Sequence, residues 1–274
     1  MLFRYSQKVL PILLSIIMAQ AVSAHEFWLE PLSFEVEEDS NIQAHIKVGQ
    51  MMDGDTYAFY PNNFERFDIT VGENTSSLKA RFAQSPAVDQ PTKESGLHIL
   101  TYQSKPSKLR YEKREKFESF LKNEGIEWVL KEHERRGLPE LDFTELYKRF
   151  AKSLVKVGDG AGQDRAMGLP IEWVVETNPY TTKYLEAVTA QLLYLGKPFA
   201  GSHVVVFTKL GDEVTRQTLT TDEDGRVNIP VGKGGVFLVN AVHMIDPVDQ
   251  QTGVIKAAWM SLWASTTYEI SSRL

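Results

Sequence analysis

Ile42-Gln43-Ala44-His45-Ile46-Lys47-Val48 alternates apolar and polar side chains without a break. A helix returns to one face every 3.6 residues and a strand every two, so this pattern belongs to a strand with one buried face. Gly49 ends it. The same reading extends outward to strands at 56–60, 65–71 (ERFDITV), 77–82 and 96–103 (GLHILTYQ), separated by Asn62-Asn63, Gly72-Glu73-Asn74 and a loop from Pro86 to Pro91. Short strands at this spacing predict an antiparallel sandwich.

After Lys105-Pro106 the composition turns to Lys, Glu and Arg with aromatic punctuation. Phe117, Phe120, Leu121, Trp128 and Val129 fall at helical spacing, Gly125 divides the run, and Gly137 and Pro139 close it. A second helix is expected from Asp142, with Asp142 as cap, Glu145 three residues on, and Phe143, Leu146, Tyr147, Phe150 and Leu154 as its apolar stripe. Residues 107–157 thus read as a helical insertion on the first sandwich. A strand at 171–176 is expected to rejoin that first sheet, and Asn178-Pro179-Tyr180 reads as a boundary. Strands at 186–195, 202–208, 213–218, 225–229 and 235–243, with a final pair at 257–263 and 266–270, make a second sandwich. The fold class expected is mainly β: two β-sandwich domains, 25–178 with the insertion and 179–274, the latter immunoglobulin-like or carboxypeptidase-regulatory-like.

Residues 1–24 read as an export signal. Arg4 and Lys8 precede an apolar run at 9–19, and Val22-Ser23-Ala24 supplies the small-residue cleavage box. The run is short of the ~20 residues a membrane span needs, and no later stretch is long and apolar enough for one. The expected product is a periplasmic chain starting at His25. Its net charge, −6 overall and −8 without Arg4 and Lys8, disfavours nucleic acid as a partner. With no cysteine, the chain holds itself together by core burial, and any metal site is built from His, carboxylate, amide or Met. Gly158-Asp159-Gly160-Ala161-Gly162 lacks the Lys-Ser/Thr of a phosphate loop, and Asp222-Glu223-Asp224-Gly225 reads as a β-turn rather than a calcium loop. Neither a Ser-His-Asp set nor a zinc-protease motif occurs.

A chain that begins with histidine offers two nitrogen ligands from one residue, its α-amine and its imidazole Nδ1. Phe27 and Leu29 on one phase of the first strand would hold that terminus still, with Glu26, Trp28 and Glu30 on the other. A carboxylate at Glu26 can orient a ligand imidazole, although alternation alone makes Glu26 and Glu30 solvent-facing.

Several segments together resemble a family of exported bacterial proteins with a domain of unknown function, described in general terms as nickel-uptake, substrate-specific proteins. They are His25-Glu26-Phe27-Trp28-Leu29-Glu30-Pro31, Gly96-Leu97-His98 leading to Ser104-Lys105-Pro106-Ser107, Val157-Gly158-Asp159-Gly160 before Gly168-Leu169-Pro170, Thr221 to Arg226, Ala241-Val242-His243-Met244, and Trp259 to Ser265. The resemblance implies a periplasmic protein of transition-metal handling with a membrane metal permease as partner. Three of the six mature histidines, His25, His98 and His243, lie in these segments and are the candidate metal ligands. A nitrogen-rich set suits nickel, cobalt or copper better than magnesium or calcium. Alternation places His45 towards solvent or the insertion, while His133 and His203 read as surface residues and Trp259 and Trp263 as core. The expected function is binding of a divalent transition ion and its buffering or delivery to an uptake system, without catalysis. A non-metal docking module of the cell envelope and a histidine-brace copper oxidase are the alternatives.

Overall fold

Phe143–Val157 is the strand on which the two halves of the chain meet. It pairs in parallel with Trp259–Ile270 on one side and antiparallel with Gly96–Ser104 on the other. In the computed structural model, residues 25–182, 184–247 and 257–271 are described; the expected export signal lies outside them. The first strands are β1 (Glu26–Pro31), β2 (Glu35–Val36), β3 (Asn41–Gln50), β4 (Asp53–Tyr57), β5 (Phe64–Val71), β6 (Asn74–Ser77), β7 (Val88–Pro91), β8 (Gly96–Ser104) and β9 (Ser107–Tyr111). Helices α1 (Arg114–Asn123) and α2 (Trp128–Arg135) precede β10 (Phe143–Val157) and β11 (Ile171–Val175). The remaining strands are β12 (Ala187–Tyr194), β13 (Lys197–Pro198), β14 (His203–Leu210), β15 (Glu213–Thr220), β16 (Arg226–Pro230), β17 (Gly235–Ile245) and β18 (Trp259–Ile270).

The protein is mainly β. Its central sheet runs β15-β14-β17-β18-β10-β8-β5-β6, with β2 and β9 also paired to β10. One face of this sheet carries Leu97, Ile99, Phe150, Leu154, Val206, Val239 and Ala241, which close a core against Ile171, Trp173, Val188, Ala190 and Ile229 of the β11-β12-β13 sheet and β16. The two antiparallel layers β15-β14-β17-β18 and β11-β12-β13 with β16 form an immunoglobulin-like sandwich in the C-terminal half. The opposite face carries the small sheet β1-β3-β4 with β7 over Leu100, Tyr102, Ala151 and Val155. Beside it, α1 and α2 bury Phe117, Phe120, Leu121 and Val129 against Val242, Met244, Trp259 and Trp263. As expected, the Ile42–Val48 alternation is a strand with Ile42, Ala44 and Ile46 inward.

Three expectations are corrected. The helix predicted from Asp142 is instead β10, fifteen residues long. Asp142 has φ of 61°, a left-handed turn conformation, and its carboxylate accepts two hydrogen bonds from Arg110, so it caps nothing. The spacing that mimicked a helix arises because β10 lies between layers. Leu146, Phe150 and Leu154 enter one core, Ala151, Val155 and Val157 another, and Phe143 packs under the helices. Next, β11 joins β12 in the second sandwich rather than the first sheet. Finally, the last two expected strands are a single twelve-residue strand, β18; Ala264-Ser265 contains neither Gly nor Pro and stays in register with β17.

The most deeply buried charge, Lys152 at 1% exposure, sits on β10 in the larger core. Its Nζ lies 2.6 Å from Asp164 Oδ1 and 3.9 Å from Glu172, and donates to the carbonyls of Arg165 and Trp173 at 2.8 Å each. Glu172 in turn accepts the backbone N–H groups of Met167, Gly168 and Leu169, and Asp164 that of Val175. This cluster fixes the loop before β11 with its polar groups satisfied.

Candidate functional site

β1 lies over β10 and β18, and both of its phases are buried. Phe27 and Leu29 enter the core with Ile46, Leu100 and Tyr102, while Trp28, fully buried, packs on Val205, Phe207 and Leu238. Thr267 Oγ1 donates to the Leu29 carbonyl at 2.7 Å. The chain directly after His25 is therefore held rigidly. A solvent-facing Glu26 does not follow, because Glu26 shares the phase of Trp28.

Glu26 is carried inward, towards Glu124 at the C-terminus of α1. Burial is the main cause that raises its carboxyl to about 7; its own backbone N–H and the charge of Arg216 oppose this. Its Oε2 is buried and has no hydrogen-bond partner among the described residues. Glu124 is pushed up to about 8, first by burial and then by repulsion from Glu26, with Arg216 again opposing. Asn240 Nδ2 donates to Glu124 Oε2 at 3.3 Å. Arg216 is itself fastened by donating to the Asn123 carbonyl at 3.0 Å. Next to Glu124, Gly125 with φ of +66° leaves room for the His203 ring, whose Cγ would lie 2.3 Å from a Cβ there. Burial and the nearby Arg216 hold His203 below its ordinary pKa. The two carboxyls, one arginine and one histidine thus share one corner beside the first residues of β1.

The candidate histidines occupy different parts of the molecule. His25 begins β1, and its carbonyl lies 3.5 Å from Arg149 Nη2. His98, 4% exposed, pairs with Val155, six residues farther along β10 than Arg149 and so about 20 Å away. Its Nδ1 meets the Gly96 carbonyl at 3.3 Å, and burial lowers its pKa. His243 projects from β17 on the opposite face of the central sheet, edge-on to Tyr194 and Phe199 at 4.6 and 4.5 Å, where burial lowers its pKa to about 4. Among the described residues, no group of three or more His, Asp or Glu stands ready for a metal ion. His133, read as a surface residue, is 6% exposed: its Nδ1 accepts from Trp259 Nε1 and its Nε2–H donates to the Pro139 carbonyl, both at 2.9 Å. Trp259 and Trp263 are core, as expected.

A cleft of about 400 Å³ opens on the other side of β1, between the small sheet and the Ser104–Ser107 turn. Arg149 lies in it between the rings of Phe27 and Tyr147, 5.4 and 5.0 Å from the guanidinium carbon. Neither Glu124 nor Arg149 is signalled by the sequence, since one ends a charged helix and the other lies in a stretch whose spacing fits a helix. Periodicity carries no signal for either.

Residues 22–245 match the family model described as Domain of unknown function (DUF4198). The chain belongs to this family. The family match spans β1 to β17 and so includes Glu26, Glu124 and Arg149. No curated protein matches the chain. Among solved structures it is similar to the D0-D1 domain of Intimin, at 13% identity and a TM-score of 0.22, over 88% of this chain and 96% of that one. A tetra-tandem repeat from the extending region of a large adhesion protein matches at 10% identity and a TM-score of 0.22, over 90% of this chain and 50% of that one.

Proposed function

We propose that this DUF4198 protein is exported to the periplasm and that its mature form binds a divalent transition ion, nickel, cobalt or copper, at His25. It then buffers the ion or hands it to an uptake system such as a membrane permease. The observation that carries this reading is the partnerless, buried Glu26 carboxylate oxygen beside Glu124, immediately after the residue that signal cleavage would make the amino terminus. Two buried carboxyls that repel one another hold either a proton or a cation. The α-amine and imidazole of His25 add two nitrogens from one residue, so His25 with Glu26 and Glu124 offers a mixed nitrogen and oxygen set without a preformed cluster of three side chains. Such a set suits nickel, cobalt or copper. His98 and His243 are too far from this corner to join it without rearrangement. The resemblance to nickel-uptake proteins favours nickel within this group.

The test is calorimetric titration of nickel, cobalt and copper into a chain that begins at His25, beside one that retains a single Ala before it. The extra residue removes the terminal chelate while leaving β1 in place. An at least ~10-fold loss of affinity, about 1.4 kcal/mol, is expected. Equal affinities for the two chains, or no binding tighter than about 100 μM to either, would overturn the reading.

A further inference from the structure

Arg149 is a half-buried cation without a carboxylate counter-ion. Its Nε is shut away from solvent with no acceptor, and among the described residues no carboxylate lies within ion-pair distance of it; the groups that feel its charge are the hydroxyls of Tyr147, Tyr102 and Tyr57. Burial costs an arginine its hydration, and the guanidinium cannot escape by giving up its proton. The group is nonetheless held in place, between Phe27 and Tyr147, with its backbone N–H donating to Ser104 Oγ at 2.9 Å. Lys148, its neighbour on β10, is paired with Glu65 at 2.7 Å, and Lys152 with Asp164 at 2.6 Å. Arg149 is the exception on its own strand.

The cleft in front of it has the same character. Sixteen residues line it and none is acidic, although the chain as a whole carries a net charge of −6. Lys105 stands at the rim, its backbone N–H donating to the Asn63 carbonyl at 3.0 Å. Tyr57, Tyr60, Tyr102 and Tyr147 supply aromatic walls that end in hydroxyls. About 400 Å³ of space is within the range that accepts a small organic molecule.

We propose that this cleft binds a small organic carboxylate, whose anionic end pairs with Arg149 and whose planar or apolar body lies against the tyrosine walls. A carboxylate is favoured over phosphate or sulfate because an aromatic-walled cleft rewards an apolar body on the anion, whereas a fully hydrated tetrahedral anion leaves those walls without a partner. The site is distinct from the acid corner, and binding there needs no metal ion.

The experiment uses the metal-free protein from His25 to Leu274, titrated with benzoate, succinate and inorganic phosphate and followed by calorimetry and by thermal unfolding. Saturable binding of benzoate or succinate is expected, with a rise in Tm, and phosphate is expected to give neither. Arg149→Gln should reduce carboxylate affinity at least ~10-fold while the ligand-free protein keeps or raises its Tm, because a desolvated charge has been removed. If Arg149→Gln does not fold, Lys105→Ala at the exposed rim replaces it, with a ~3-fold loss expected. The proposal is overturned if neither carboxylate binds at about 10 mM, if phosphate binds in their place, or if the folded variant binds as well as the native chain. Because metal is absent throughout, this outcome does not depend on metal binding at His25, although the His25 carbonyl lies 3.5 Å from Arg149 Nη2.

Discussion

Replacing Glu124 with Gln should stabilise the metal-free protein at pH 8 and change it little at pH 5. Glu124 moves from 4.5 to about 8 on folding, so the folded chain holds its proton more tightly than the unfolded chain throughout that interval. Stability from the protonated form is fully present below pH 4.5 and is lost as pH rises through 8. At about 1.4 kcal/mol for each tenfold change in acidity, ionising Glu124 in the folded state at pH 8 costs about 4 kcal/mol. Part of that is repulsion from Glu26, which is itself raised to about 7, and the pair titrates together, so the two costs do not add. The expected gain for E124Q is ~2–4 kcal/mol at pH 8 and below ~1 kcal/mol at pH 5. Gln keeps the carbonyl oxygen that Asn240 uses. Urea unfolding at pH 5, 6, 7 and 8 in the presence of a chelator, followed by tryptophan fluorescence, measures the difference. Glu145, also buried and raised to about 7, bends the same curve, and E145Q is the control that separates it. A pH slope identical in E124Q and the native chain would refute the coupling of Glu26 to Glu124 and, with it, the acid corner as a place for a cation.

Lys152→Met should destabilise the protein by ~3–5 kcal/mol in urea, because it strands Asp164 and Glu172 in the core; adding Asp164→Asn should recover part of the loss. No recovery would show that the lysine acts through packing alone. His243→Phe keeps the ring contacts to Tyr194 and Phe199 and replaces a histidine that is neutral at pH 7, so a stability change within ~1 kcal/mol and unaltered nickel affinity are expected; a tenfold affinity loss would restore His243 as a ligand. Gly125→Ala forces a side chain into φ of +66° and against the His203 ring, and should cost at least ~1 kcal/mol and alter the pH slope assigned to Glu124. A neutral result by denaturation would mean that His203 swings aside freely.

The class of fold was legible because period-two alternation survives wherever a strand has one wet face. Ile42 to Val48, β12 and β16 satisfy that condition, whereas β17 and β18 are buried on both faces. It fails for β10. Phe150, Ala151, Leu154 and Val155 are all buried, on two faces of one strand, and a residue pattern that is apolar on both faces includes a helical stripe among its readings. Lys148, Arg149 and Lys152 strengthened the false stripe, since charged residues between apolar ones look like the solvent face of a helix. Only the pairing partners, β18 in parallel and β8 antiparallel, decide the matter, and both are distant in sequence.

The same failure hid the candidate site. Alternation along β1 puts Glu26, Trp28 and Glu30 on one phase and assigns that phase to solvent, yet a tryptophan on a solvent-facing phase is the anomaly. A fully buried Trp28 draws its phase inward, and Glu26 follows because it shares that phase in a strand paired continuously with β3 and fastened at Leu29 to Thr267. The partner that makes Glu26 interesting, Glu124, comes from a helix nearly a hundred residues away, and neither residue signals the other locally. Burial of both carboxyls therefore follows from packing decisions made elsewhere, by Trp28 on Val205, Phe207 and Leu238, and by α1 on Trp263. The terminus that sequence alone singled out for its histidine is thus held by its neighbours. If Trp28→Ala loosened β1 while nickel affinity at His25 stayed the same, rigidity of the strand would have no part in binding, and the acid corner would be an accident of the core.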